Sequence, residues 1–195
     1  MSTIQLPLFP LYTVLFPGGP LPLKIFETRY LDMISQCLKD ETDFGVCLIQ
    51  EGGEVGRAAN TVSVGVTARI IDWKQRPDGL LGITVVGEQR FRVQSVKVQK
   101  DQLAIAEMEL LPPCPSLALP DEYQSLVEIL KHLMAQIEGQ YANLPRLYDD
   151  ASWVSYRLLE LLPVELQHKQ EFLETDDPLL RLQRLQDMLE GMQVV

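Results

Sequence analysis

The chain has 195 residues, 46% hydrophobic and 23% charged, a balance suited to one soluble globular domain or two small ones with a real core. Its net charge of −10 and pI of about 4.7 argue against nucleic-acid binding, which needs clustered Lys and Arg to neutralise phosphates. The acid is uneven: residues 1–112 carry 11 Lys/Arg against 13 Asp/Glu, and residues 113–195 carry 6 against 14.

The opening run "IQLPLFPLYTVLFPGGPLPLKIFETRY" threads Pro7, Pro10, Pro17, Pro20 and Pro22 through an apolar segment. No Lys or Arg precedes Lys24, and the prolines forbid a continuous helix, so neither an export signal nor a membrane span is expected. Leu, Ile, Phe and Tyr alternate with the prolines, unlike a disordered linker. The run reads as extended, with Ile4, Leu6 and Leu8 on one face and the prolines at strand edges or ends. "FPGGP" supplies a sharp turn. Tyr30, Met33, Ile34, Cys37 and Leu38 then fall at helical spacing, which predicts an amphipathic helix over 27–39.

Strand patterns appear next at 44–50, 61–73, 80–89, 90–98 and 103–111, with "QRPDG" at 75–79 as hairpin chemistry. In 90–98, alternation puts Phe91, Val93 and Ser95 on one face and Arg90, Arg92 and Gln94 on the other. Many short strands suggest a small closed or half-closed barrel. "PPCPSLALP" (112–120) breaks the pattern. Helical periodicity takes over in "DEYQSLVEILKHLMAQIEG", "YDDASWVSYRLLELL", "VELQHKQEFLE" and "DDPLLRLQRLQDMLEGM", the last with Asp177 as N-cap and Pro178 at the first helical position. The expected organisation is α+β: a β domain over 1–112, a linker over 113–119 and a helical bundle over 120–195.

Motifs for catalysis are thin. There is no phosphate-binding GxxxxGK[ST], no GxSxG and no GxGxxG. His132 and His168 lie far in sequence from any cysteine, so no metal site or cofactor is expected and both read as surface histidines. Cys37, Cys47 and Cys114 are sparse and odd in number. They suggest a reducing, cytoplasmic setting and small buried side chains. The acidic clusters at 149–150 and 174–177 sit at helix starts, where the backbone dipole favours negative charge. Trp73 stands out because it borders the polar turn "KQRPDG".

The segment "LPLFPLYTVLFPGGPLPLKIFETRY", with Glu27 and Arg29 as an acidic–basic pair at the helix start, resembles the beginning of the substrate-binding N-terminal domain of the Lon protease family. "FGVCLIQ", "VGVTARI", "GEQRFRV" and "LLPVELQHKQEFLETDDPLLRLQRLQDML" agree in order. The resemblance implies a PUA-like β-barrel with one packed helix, followed by a helical bundle. It also implies a free-standing Lon-type domain, because the ATPase and Ser–Lys protease modules of full Lon find no counterpart before Val195. On this resemblance the chain is a non-catalytic module that captures exposed apolar polypeptide segments. It would have a tendency to self-associate, a protease or chaperone as a candidate partner, and no membrane or nucleic-acid partner. No site residue transfers by identity. From residue type, Phe16, Trp153 and Tyr156 are expected to line a groove between barrel and bundle, with Arg29 as an orienting cation. Two alternatives stay open: a hydrolase whose cysteine or carboxylate site is assembled from distant residues, and RNA binding through the barrel.

Overall fold

Residues 3–141 and 144–193 are described by the computed structural model; positions 1–2, 142–143 and 194–195 of the expected domains lie outside them. The chain divides into two compact units, Met1–Pro113 and Cys114–Val195. Strands β1 (Thr3–Leu11), β2 (Pro20–Ile25), β3 (Phe44–Glu51), β4 (Asn60–Thr61), β5 (Val64–Gln75), β6 (Leu81–Val98) and β7 (Ala104–Leu110) form a mostly antiparallel sheet in the first unit, with helix α1 at Thr28–Asp40. The strand order is β1-β7-β6-β5-β3-β4, and a parallel β1–β3 pairing closes β1, β7, β6, β5 and β3 into a ring.

The prolines of β1 sit where the strand changes partners. Residues Thr3–Leu8 pair with β7 and Leu8–Leu11 with β3, so Pro7 and Pro10 each lie where β1 has one neighbour alone. A missing donor there breaks no ladder. Among the described residues β2 pairs with β6 alone, and its Pro20 and Pro22 occupy alternate positions of that edge strand. Between β1 and β2, Gly18 takes φ 71° and the Gly19 N–H donates to the Phe16 carbonyl at 3.0 Å, which makes the "FPGG" turn. The apolar stripe of α1 is buried through Tyr30, Met33, Ile34 and Cys37, while Leu38, also expected on it, lies at its margin and is exposed.

The expected strands 80–89 and 90–98 are one strand of 18 residues. No turn residue separates Gln89 from Arg90; shifts of register bend the strand instead, one opposite Val66–Ala68 and one between Val93 and Ser95. The second shift reverses the facing of the rest of the strand. Val93, Val96 and Val98 lie opposite Met108, Ala106 and Ala104, all buried, so the valines face inward and Ser95 does not share the face of Val93. Arg90 is also buried beside Phe91, because its guanidinium donates to the Pro112 carbonyl at 3.3 Å.

Inside the ring, Leu8, Cys47, Phe91, Ala104, Ala106 and Met108 form one buried cluster. The Phe91 ring is admitted by two glycines. A Cβ on Gly65 would lie 2.3 Å from the Val46 carbonyl oxygen and 2.7 Å from Phe91 Cζ, and one on Gly45 would lie 2.6 Å from Met108 Cε.

The second unit is helical among its described residues: α2 (Gln124–Gln136), α3 (Glu138–Tyr141), α4 (Ala151–Leu161), α5 (Leu166–Glu174) and α6 (Pro178–Gln193). α4 packs against α2 and α6 and buries Val154, Tyr156, Leu158 and Leu159. Asp150 caps α4 by accepting from the Trp153 N–H at 2.7 Å, and Asp177 caps α6 by accepting from the Leu179 N–H at 2.9 Å.

Gly65→Ala is expected to destabilise the first unit by about 2–3 kcal/mol, because backbone rather than a movable side chain blocks the new methyl. Gly53→Ala, whose Cβ would meet nothing closer than 3.7 Å, serves as the neutral control in urea denaturation.

Candidate functional site

The ring of the first unit opens into a cleft of about 940 Å³. Its floor holds Leu8 and Ala104, buried at 2% and 6% exposure. One wall is Val93, Val96 and Val98 of β6; the other is the segment 58–63, including β4. The walls are joined where the Val93 N–H donates to the Ser63 carbonyl at 2.8 Å, and they part beyond it. β5 leaves β6 at the Val64–Arg92 pair, and the chain before it turns to pair with β3. Among the described residues, β6 beyond Gln94 pairs with β7 alone and β4 with β3 alone. The cleft therefore combines an apolar floor with strand edges whose outer backbone groups have no ladder partner. Glu51 is the ionisable residue in its lining, and its carboxylate accepts from Asn60 Nδ2 at 3.4 Å.

Arg29 helps hold the 58–63 wall. It is 5% exposed; its Nη1 donates to the Gln102 carbonyl at 2.9 Å and its Nη2 lies 3.2 Å from the Glu27 carboxylate. The other Gln102 group, its side-chain oxygen, accepts from the Ala58 N–H at 3.5 Å, and Glu27 accepts from the Gly56 N–H at 3.3 Å. Arg29 thus braces the loop leading into the wall. Its guanidinium carbon also lies 4.5 Å from the Tyr30 ring centroid. Phe9, Leu21, Phe26 and Tyr30 line a smaller cleft of about 350 Å³. Burial raises the Tyr30 hydroxyl pKa, and the Arg29 charge partly offsets this.

Phe16, also in the first unit, has no exposed surface. In the second unit, Trp153 and Tyr156 share α4 but differ in setting. Tyr156 is buried, with the Arg181 guanidinium 4.1 Å from its ring centroid and Cys114 Sγ 2.8 Å from its hydroxyl. Trp153 is half-buried and stands edge-on to Tyr148, ring centroids 5.2 Å apart. Arg181 itself donates to Ser155 Oγ at 3.1 Å, Ser152 Oγ at 3.2 Å and the Thr175 carbonyl at 2.6 Å, tying α6 to α4. A second buried cluster joins Arg157 Nη2 to Glu160 at 2.8 Å and the Tyr141 hydroxyl to Glu160 at 2.9 Å. Burial pushes the Glu160 carboxyl up to about 7, against the opposing pull of Arg157, Tyr141 and Lys169. Both histidines are exposed. Cys37 and Cys47 are buried and Cys114 is half-buried.

Comparison with known proteins fixes the family. The model of the ATP-dependent protease La (LON) substrate-binding domain matches residues 5–191. The chain belongs to this family. The crystal structure of a Lon N-terminal domain protein from Xanthomonas campestris superposes with TM-score 0.79 at 35% identity, covering 94% of this chain and 98% of that one. The N-terminal domain of a Mycobacterium avium complex Lon protease, at TM-score 0.65 and 19% identity over 94% of this chain and 97% of that one, shares the fold. In sequence the chain is 25% identical to the Lon protease of Amoebophilus asiaticus over 85% of its length, and 29% identical to protein cereblon of Xenopus tropicalis over 64%. It spans 21% and 28% of those two relatives. The match is thus to the Lon substrate-binding domain, not to protease or ATPase modules. Among the described residues no helix is long and apolar enough to cross a membrane.

The cleft residues Val96, Val98 and Ala104 do not stand out in the sequence. The available signal is a valine-rich strand end opposite the small side chains of "LAIA", but strict alternation splits Val93 from Val96 and Val98.

Three measurements bear on these contacts. Arg29→Ala is expected to cost about 2–3 kcal/mol, since it strands Glu27 and the Gln102 carbonyl, and to speed amide exchange at 56–58. Burial pushes the Cys47 thiol up to about 12 and raises that of Cys37. At pH 8 a soluble aromatic disulfide reagent should therefore modify one thiol rapidly in the native protein, the half-buried Cys114, and all three in guanidinium. Because Glu160 binds its proton more tightly folded than unfolded, its contribution lowers stability as pH rises from about 4.5 through about 7. Thermal melts of Glu160→Gln should show less loss between pH 5 and pH 8 than wild type.

Proposed function

We propose that this chain binds extended, apolar segments of unfolded polypeptide and carries out no chemistry on them. The observation that carries this reading is the cleft, an apolar floor between two separated strand edges in a domain of a substrate-binding family. An extended segment would place alternate side chains over Leu8, Ala104 and Val96 while its backbone meets the open edge of β6. Arg29 serves by holding the 58–63 wall. Trp153, half-buried, is a separate contact residue in the second unit, whereas Phe16 and Tyr156 serve as packing. Delivery of the bound segment to a protease fits the name of the family.

Titration calorimetry with a reduced, permanently unfolded client is expected to show micromolar binding. Val96→Asp places a charge in the cleft at a side chain that is 48% exposed, so the fold tolerates it. Affinity should fall at least ~10-fold, about 1.4 kcal/mol. Binding by no unfolded client, or equal binding by Val96→Asp, would overturn the reading.

A further inference from the structure

The sheet has a second open edge, away from the cleft. β3 pairs with β5 only at Val66–Ala68, so Arg69–Gln75 has β6 on one side and no ladder partner on the other among the described residues. With β2 on the far side of β6, this part of the sheet is three strands wide and β5 is its outer strand. A shift of register between Ile70 and Asp72 leaves Asp72–Gln75 as a regular run paired to Thr84–Leu81.

Two features mark this edge. Leu23, Ile83 and Trp73 stand opposite one another across the three strands, an apolar row that passes from half-buried to 2% and then to 62% exposed. The row ends in a bare indole at an open edge. Trp73 is also flanked by Asp72 and Lys74, both exposed and of opposite sign.

We propose that this edge pairs antiparallel with the same edge of a second copy, the two-fold axis passing through Trp73. In that register Trp73 faces Trp73 of the second copy, Asp72 faces its Lys74, and Lys74 faces its Asp72. Residues two apart share a face, so both ion pairs form on one face of the joined sheet and the indoles meet on the other. The register is selected by charge: centring on Asp72 sets carboxylate against carboxylate, and centring on Lys74 sets ammonium against ammonium. A two-fold axis makes the contact isologous and self-limiting, so it ends at a dimer. This surface is independent of the cleft and of the function proposed for it.

Sedimentation of the full chain from micromolar to millimolar concentration is expected to show a monomer–dimer equilibrium. Asp72→Lys and Lys74→Asp, each placing like charges opposite one another, should each weaken the dimer about tenfold. The double exchange Asp72→Lys with Lys74→Asp should restore it, which loss of folding or a general change of net charge would not. Circular dichroism confirms that each variant folds. The proposal is overturned by a wild type that stays monomeric throughout, by a dimer indifferent to the single reversals, or by failure of the double exchange to restore it. It is equally overturned if amides of 72–75 are slowed by an unfolded client and not by raising protein concentration, since the edge would then serve the client.

Discussion

Closure of the first unit depends on one close approach, that of Phe91 to the bare backbones of Gly45 and Gly65. These glycines lie on β3 and β5, the two strands that carry the ring from β6 to β1. A side chain at either would push Phe91 off the seam, and a methyl at Gly65 would collide with the Val46 carbonyl oxygen itself. The ring is therefore tight at one level, where an aromatic side chain fills the space that two side chains would otherwise claim. The parallel β1–β3 pairing that completes it begins opposite the same place, at Leu8 and Gly45.

The cleft is the consequence of what the closure omits. Beyond the hydrogen bond from the Val93 N–H to the Ser63 carbonyl, the chain ahead of β5 joins β3 while β6 continues with β7, so the seam closed by Phe91 opens on one side of it. Ala104 and Ala106 keep the floor low. The register shift after Val93 then turns Val96 and Val98 over that floor. Without the shift, Ser95 and Lys97 would face the cleft and its wall would be polar.

Much of this was legible in the sequence. The helix at 27–39, the hairpin at "QRPDG" and the cap at Asp177 stem from local periodicity and turn chemistry, and the structure places them at Thr28–Asp40, Arg76–Leu80 and the start of α6. The acidic pair at 149–150 reads as a helix start, and the structure makes Asp150 the cap of α4. The family was legible as an ordered set of short motifs. Anything that depends on an interruption in a long strand was not legible. Alternation assumes a constant period of two, and one extra residue reverses the facing of every later position. That hid the inward turn of Val96 and Val98 and joined what looked like two strands into β6. Residue type alone suggested Tyr156 as a groove-lining residue and Arg29 as an orienting cation. Their burial depends on partners distant in sequence, the Gln102 carbonyl for one and Arg181 with Cys114 for the other.

The two open edges carry different protection, and the difference bears on what each can accept. The edge in the cleft is short and faced across the cleft by the 58–63 wall, which leaves a channel one extended chain can enter. Such a chain can leave its alternate side chains on the aliphatic floor. The β5 edge is outermost and lined by exposed side chains on both faces, so another sheet edge can reach it directly. Unprotected, such an edge invites unlimited association. Asp72 and Lys74 restrict it to a register in which each charge meets its opposite, and the symmetry of that register consumes both edges at once. Under the two proposals, the same backbone chemistry serves capture where the edge lies in the cleft and pairing between copies where it is outermost.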